Sequence, residues 1–367
     1  MKKIAILTLT LTRGGAERVI ANLCNDRLAD EYEVTLITCM NRPAGYTLDK
    51  RVRFLCLEDT EDVGYTNLTD RFMKRRKALK EVLDECKPDL LLCFLPEPNM
   101  LALSLKSRYG FPVIISVRND PKREYSNKIY YTLMRLLYPK ADGYVFQTEE
   151  AKDYFAFSKH ILEKSRIIPN PLSKEYMDMD NGPVDRKKTI VNVGKLDAQK
   201  NQKLLISAFG RIATDYPDWN LHIYGEGNLR EELTQLIDEL GLTGRVVLEG
   251  NQADLKNKIK DAGIFVLSSD YEGMPNALIE AMALGIPSIS TDCPCGGPRF
   301  LIEDGVNGRL VPVKNEKALS VAMAEYISDK AKAEVVGEKA KNIKKVLDPD
   351  LINSKWVDYI EEYLSGN

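Results

Sequence analysis

The sequence predicts an α/β protein made of two doubly wound parallel-sheet domains facing one cleft. Three observations carry that reading. Short β-rich runs alternate with segments of helical periodicity from end to end, the pattern of parallel strands joined by crossover helices. The alternation breaks once, in a polar, turn-rich stretch at residues 171–185, and then restarts. The length of 367 residues allows two or three domains, each with a sizeable core.

Lys3–Thr8 is the first predicted strand, followed by the loop Thr12-Arg13-Gly14-Gly15. The next segment carries Val19, Ile20, Leu23, Cys24 and Leu28 at helical spacing. Further strands are expected at Val34–Thr38, Val52–Leu57, Asp89–Phe94, Val113–Ser116, Gly143–Gln147 and Arg166–Ile168. Asn170-Pro171, Met177-Asp178-Met179-Asp180 and Asn181-Gly182-Pro183 show no apolar periodicity and read as a linker. The second half resumes with strands at Thr189–Val193, Asn220–Tyr224, Val246–Glu249, Ile264–Leu267, Ile286–Thr291 and Arg309–Val313, and is helical from about Asn315 onward. The expected domains are therefore 1–170, a linker over 171–185, 186–345, and a terminal helix over 346–367 that crosses back to the first domain. Ligands of such sheets bind at the carboxyl ends of the strands.

Lys and Arg total 52 against 54 Asp and Glu, a net charge of −2, which excludes wholesale adhesion to nucleic acid. No apolar run approaches the roughly 20 residues of a membrane span. Thr8, Thr10, Thr12 and Arg13 interrupt the apolar run behind the basic start, so no secretory signal is expected. The seven cysteines are odd in number and form no Cys-x-x-Cys pair, which fits free thiols in a reducing cytosol.

Chemistry-bearing residues cluster in loops behind predicted strands. Gly14-Gly15-Ala16-Glu17-Arg18 opens the first helix, where close backbone approach and free N–H groups suit an anion; a plain tight turn is the alternative. Gly194-Lys195-Leu196 with Lys200-Asn201 places two lysines at a helix start, suited to a pyrophosphate or to plain solvation. Gly225-Glu226-Gly227 is a weak signal alone. The most informative stretch runs from Ser268 to Met282. Its loop carries Glu272, Gly273, Met274 and Pro275, a helix starts at Asn276, and Glu280 stands one turn further on among Leu278, Ile279, Ala281 and Met282. A carboxylate in such surroundings needs a partner, and it can accept two hydroxyl hydrogen bonds at once, as a ribose diol requires.

Glu272 and Glu280, with seven residues between them, resemble the Glu-x-seven-Glu motif of retaining GT-B glycosyltransferases of family four. The loops at 14–18, 194–201 and 225–227, and Asp304-Gly305-Val306-Asn307-Gly308, are similar to further motifs of that family in the same order. The resemblance implies a GT-B fold of two Rossmann-like domains. It implies a retaining, metal-independent hexosyltransferase that needs no cofactor and uses a nucleotide-sugar donor, with uridine the expected base. Glu280 would hold the ribose and Lys195 and Lys200 the diphosphate. Glu272 with the backbone of Gly273, Met274, Pro275 and Asn276 would hold the donor sugar, with Gly194, Gly225 and Gly227 lining the donor loops. The acceptor, a glycan or lipid-linked glycan of cell-surface polysaccharide synthesis, would enter near Gly14, Gly15 and Arg18. Where many relatives carry a histidine after the strand at 113–116, this chain has Arg118, suited to a phosphate, a sugar hydroxyl or an acidic acceptor. His160 and His222 fit no such place and read as structural. Two other enzymes on this architecture stay open, an epimerase or a phosphorylase, as does a non-catalytic two-lobed binding protein.

Two tempting motifs are set aside. Asp178-Met179-Asp180 lies in the linker, and Cys293 and Cys295 cannot complete a tetrahedral metal site. The segment 67–83 is strongly basic, with Leu68, Phe72, Leu79 and Leu83 on one helical stripe. Such a helix fits an anionic membrane surface, with a solvated face on an ordinary crossover helix as the alternative, and the tyrosine-rich stretch Tyr125–Tyr138 fits a membrane interface as well. Together with the expected free thiols, these segments give an expected place in the cytoplasm, peripheral to the inner face of the membrane.

Overall fold

The computed structural model describes residues 1–12, 14–60, 64–179 and 185–365. Arg13 of the first loop and residues 180–184 of the expected linker, including Asp180, lie outside the described residues. The chain divides into two compact units, Met1–Pro171 together with the segment from Asp350 on, and Leu172–Pro349.

The first unit is built on β1 (Lys3–Thr8), β2 (Glu33–Thr38), β3 (Arg53–Cys56), β4 (Leu90–Phe94), β5 (Val113–Ser116), β6 (Gly143–Phe146) and β7 (Ser165–Ile167). They form one parallel sheet in the order β3-β2-β1-β4-β5-β6-β7. Leu90 to Phe94 are buried at every position, as expected of a central strand covered on both faces. The helix Pro349–Leu364 completes this core. Its Trp356 is buried against Phe94, ring centroids 5.6 Å apart. The Tyr359 hydroxyl accepts the Tyr144 N–H at 2.8 Å and donates to the Lys164 carbonyl.

The second unit repeats the plan with β8 (Lys187–Val193), β9 (Asn220–Tyr224), β10 (Val246–Gly250), β11 (Ala262–Leu267), β12 (Ser288–Thr291) and β13 (Arg309–Val311), all parallel, in the order β10-β9-β8-β11-β12-β13. In both sheets the strand order reverses beside the first strand, between β1 and β4 and between β8 and β11. That is where an open α/β sheet leaves a crevice at its carboxyl edge.

Two expectations change. Part of the stretch read as a linker is anchored: the Leu172 N–H donates to the Leu347 carbonyl at 2.8 Å, Lys174–Met177 form a helical turn, and Lys344 Nζ donates to the carbonyls of Met177 and Met179. These contacts were not legible because they reach across the whole second half in sequence. The basic segment forms the helix Leu68–Cys86, and the C-terminal part of its apolar stripe faces inward, with Leu79 and Leu83 buried. Arg75 is only 2% exposed and is held between Glu58 and Glu97. Lys74 and Lys80 pair with Asp70 and Asp84 one turn away. Of the stripe that suggested a lipid surface, the C-terminal half is a core face, Phe72 is half-buried and Leu68 is exposed. Among the described residues, no helix is long and apolar enough to cross a membrane.

Candidate active site

The carboxyl ends of β8, β11 and β12 bring the second unit's motifs together. Behind β8, Asn201 adopts a left-handed conformation (φ 45°) and caps the helix Gln202–Gly210 by accepting the Leu204 N–H. Its side-chain amide also donates to Asp270 at 2.8 Å, tying the lysine loop to the loop behind β11. The Asp270 N–H donates to the Gln199 carbonyl at 2.8 Å, and Ser268 Oγ to the Lys200 carbonyl at 2.9 Å. The lysine loop is thus fixed from both of its ends.

Glu272 is the hub. It is 5% exposed, and its Oε1 accepts from Lys200 Nζ at 2.6 Å and from Ser269 Oγ at 2.6 Å. Its N–H donates to the Pro294 carbonyl at 2.7 Å, while its own carbonyl accepts the Cys295 N–H at 2.9 Å. The loop behind β12 therefore clamps Glu272 by its backbone. A buried carboxylate needs its cation, because removing one partner of such a pair leaves the other charge uncompensated.

Around the hub the chain approaches itself too closely for side chains. A Cβ on Gly225 (φ +139°) would lie 2.0 Å from the Gly194 carbonyl oxygen, and one on Gly297 would lie 1.9 Å from that of Gly273. The loop at 273–275 leads into the helix Asn276–Ala283, whose N-cap residue, Pro275, makes no side-chain cap. Glu280 lies inside that helix at 4% exposure, buried with its apolar neighbours. Lys195 is held through its backbone, its carbonyl accepting from Gln202 Nε2 at 3.0 Å. Sequence reasoning passed over Gln199 and Ser269, although both stand inside the quoted motifs. Gln199 donates to the Tyr271 carbonyl at 3.0 Å.

Cys293 and Cys295 are buried free thiols, and burial pushes the Cys293 thiol up, away from reactivity. Among the described residues no group of three or more His, Cys, Asp or Glu side chains is placed to hold a metal ion. His160 meets the Ala141 carbonyl at 3.0 Å and His222 pairs with Glu249 at 2.6 Å.

In the first unit, the Gly14 carbonyl accepts the Tyr46 hydroxyl at 2.9 Å and the Arg18 N–H at 3.1 Å. A Cβ on Gly14 would collide with the Glu17 carboxylate, which folds back over the helix start and accepts from Thr10 Oγ1 at 3.1 Å. The turn's own acid thus occupies the end that the sequence offered to an anion. Arg118, expected to face a substrate, is turned into its own unit. Its guanidinium donates to Asn170 Oδ1 and to the Ile168 carbonyl and lies over the Trp356 ring. Burial lowers its pKa to about 9, so it keeps its charge at neutral pH. In the same unit, Oε2 of Glu124 is buried without a hydrogen-bond partner, a feature the sequence did not signal.

Two Rossmann-like units with a lysine–carboxylate hub on the second define the GT-B class of transferase. Residues 173–343 match the model of the glycosyl transferases group 1, and residues 13–176 that of glycosyltransferase family 4. A Campylobacter jejuni relative is 30% identical over 95% of this chain and 96% of its own. It is the N-acetylgalactosamine-N,N'-diacetylbacillosaminyl-diphospho-undecaprenol 4-alpha-N-acetylgalactosaminyltransferase. A second Campylobacter jejuni enzyme, an alpha-1,4-N-acetyl-D-galactosaminyltransferase acting on a longer undecaprenol-linked glycan, is 27% identical over 99% of both chains. Among solved structures, sucrose-phosphate synthase from Thermosynechococcus elongatus superposes with a TM-score of 0.86 at 19% identity, over 100% of both chains. HepE from Anabaena, solved with UDP, superposes at 0.80 with 17% identity, over 99% of this chain and 100% of its own. The chain belongs to the group 1, family 4 glycosyltransferases, and it is a glycosyltransferase of GT-B fold.

Proposed function

We propose that this enzyme transfers a hexosyl unit from a UDP-sugar, with retention and without a metal, to a lipid-linked glycan in cell-surface polysaccharide synthesis. The observation that carries the proposal is the pairing of half-buried Lys200 with buried Glu272 at the reversal point of the second sheet. Lys200 lies where a donor's diphosphate would place its charge. An incoming diphosphate competes for that ammonium and frees Glu272 to accept hydrogen bonds from the donor sugar. Lys195 adds a second positive charge on the same loop, and the start of the helix Asn276–Ala283 adds its dipole. Fixed charges aimed at a leaving group are the main catalytic resource of such a site. Glu280, one turn into the helix, accepts the ribose diol. The acceptor hydroxyl attacks from the leaving-group side and passes its proton to a donor phosphate oxygen, so no protein nucleophile is used. In the first unit Gly14, Gly15 and Arg18 stand on the acceptor side, and Arg118 positions the carboxyl ends of the strands through Asn170.

HepE, solved with UDP, and the undecaprenol-linked acceptors of the Campylobacter enzymes support the donor base and the acceptor class. The test is thermal stabilisation by a panel of nucleoside diphosphates, followed by turnover of the matching sugar nucleotide on an undecaprenyl-diphosphate-linked acceptor. A raised melting midpoint with UDP and glycoside formation support the reading. Epimer formation, or binding without turnover, rejects it.

A further inference from the structure

With the helix at 68–86 packed inward, a different element of the first unit carries an unpartnered apolar face. In the helix Lys128–Leu137, Ile129 is 69% exposed, Leu136 64% and Leu133 37%. At about 100° per residue these three fall within an arc of about 60°. Met134, Tyr130 and Leu137 turn the adjoining arc toward the unit, Met134 fully buried. On the other side stand two exposed cations, Lys128 and Arg135, and Arg135 lies 4.2 Å over the Phe157 ring. The helix thus has three faces in order, one for the core, one apolar and open, and one basic.

The flanks continue the charge. From Pro121 to Ala141 there are five cations, Lys122, Arg123, Lys128, Arg135 and Lys140, all exposed, against one acid, Glu124. By contrast Leu68 and Met73, the exposed apolar residues of the helix at 68–86, are five positions apart and cannot share a face.

We infer that the helix Lys128–Leu137 docks the protein on an anionic bilayer, with Ile129, Leu133 and Leu136 entering the acyl boundary and the basic edge and flanks meeting the headgroups. The charge pattern selects this occupant: an apolar stripe edged by cations on one side is what a lipid interface binds, whereas a second copy of the same basic face is repelled. The purpose of such docking rests on the lipid-linked acceptor proposed above; the surface itself rests on exposure and charge alone.

The test is co-sedimentation of the full chain with phosphatidylglycerol–phosphatidylcholine vesicles and with phosphatidylcholine vesicles, without donor or acceptor. The wild-type protein should partition to the anionic vesicles and lose that binding at high salt. Ile129→Ser with Leu136→Ser should lower the partition about tenfold or more, and so should Lys122→Glu, Lys128→Glu and Lys140→Glu together. These positions are exposed, so circular dichroism and UDP-induced stabilisation should match wild type. Leu68→Ser with Met73→Ser should leave the partition unchanged. Wild-type protein that stays in the supernatant, or a serine pair that sediments as wild type, overturns the inference. So does a concentration-dependent dimer that the serine pair abolishes. Vesicle binding without turnover of any sugar nucleotide rejects the proposed function and leaves the docking surface standing.

Discussion

At the scale of single residues the two glutamates of the second unit separate by task. Glu280 is buried in a helix and is the residue proposed to hold the ribose, so Glu280→Ala should abolish most UDP-induced stabilisation, weakening UDP binding by about tenfold or more. Glu272→Ala leaves Lys200 without its buried carboxylate partner and removes the acceptor for the donor sugar's hydroxyls. It should bind UDP within a few-fold of wild type and lose about two to three orders of magnitude in kcat. Isothermal titration with UDP and steady-state rates measure the split; equal UDP affinity in wild type and Glu280→Ala discards the role assigned to Glu280. Glu124 gives a prediction of another kind. Burial, then the neighbouring Asp120 carboxylate, raises its pKa from 4.5 to about 8, and the Tyr125 and Tyr138 hydroxyls also face it. The folded state therefore keeps this proton where the unfolded chain has lost it. The stabilisation is complete below pH 4.5 and is lost as pH rises through about 8. Glu124→Gln should flatten that decline and melt no lower than wild type at about pH 8, read from melting midpoints across the range.

At the scale of elements the donor loops depend on backbones touching where no side chain fits. Gly225→Ala would place a Cβ 2.0 Å from a backbone carbonyl at a φ that L-residues avoid, and should cost about 2 kcal/mol or more. Gly110→Ala has open space around it and serves as the control, within about 0.5 kcal/mol of wild type by chemical denaturation. This scale also shows what a sequence can carry. The strands were legible because each is a short, strongly apolar or β-branched run bounded by turn residues, and buried central strands such as Leu90–Phe94 leave no other reading. The glutamate pair was legible because its spacing joins a loop to the first turns of a helix. What covers the stripe at 68–83 was not legible because amphipathicity reports that a helix has an apolar face, not its partner. Only the positions of Glu58 and Glu97, distant in sequence, show that Arg75 belongs to the interior. The surroundings of Arg118 were hidden for the same reason: its partners Asn170 and Trp356 come from the end of the first unit and from the terminal helix.

At the scale of the whole molecule, the chain leaves its first unit after Pro171, builds the second, and returns at Asp350 to finish the first. The return is structural. Ile352, Trp356 and Ile360 are fully buried, and Tyr359 bonds the backbone at both Tyr144 and Lys164, the starts of two neighbouring strands. Replacing a buried Trp by Ala costs about 3–5 kcal/mol through lost transfer energy and the cavity left behind, a large share of a domain's stability of about 5–15 kcal/mol. Removing the entire helix takes away several such side chains at once. The second unit keeps all of its strands and every residue assigned to the donor, since Leu172–Pro349 contains Lys195, Lys200, Glu272 and Glu280. A chain ending at Pro349 should therefore unfold its first unit while still binding UDP, with affinity within a few-fold of the full chain. Hydrogen exchange should show protection lost across β1, β4, β5 and β6 and retained across β8, β9 and β11, with transferase activity gone. Trp356→Ala in the full chain should give a weaker form of the same pattern, with two separated melting transitions of which only the upper moves with UDP. A single transition that moves as a whole with UDP would mean that the two units fold as one cooperative body, and that the donor unit does not stand without the helix that closes its neighbour.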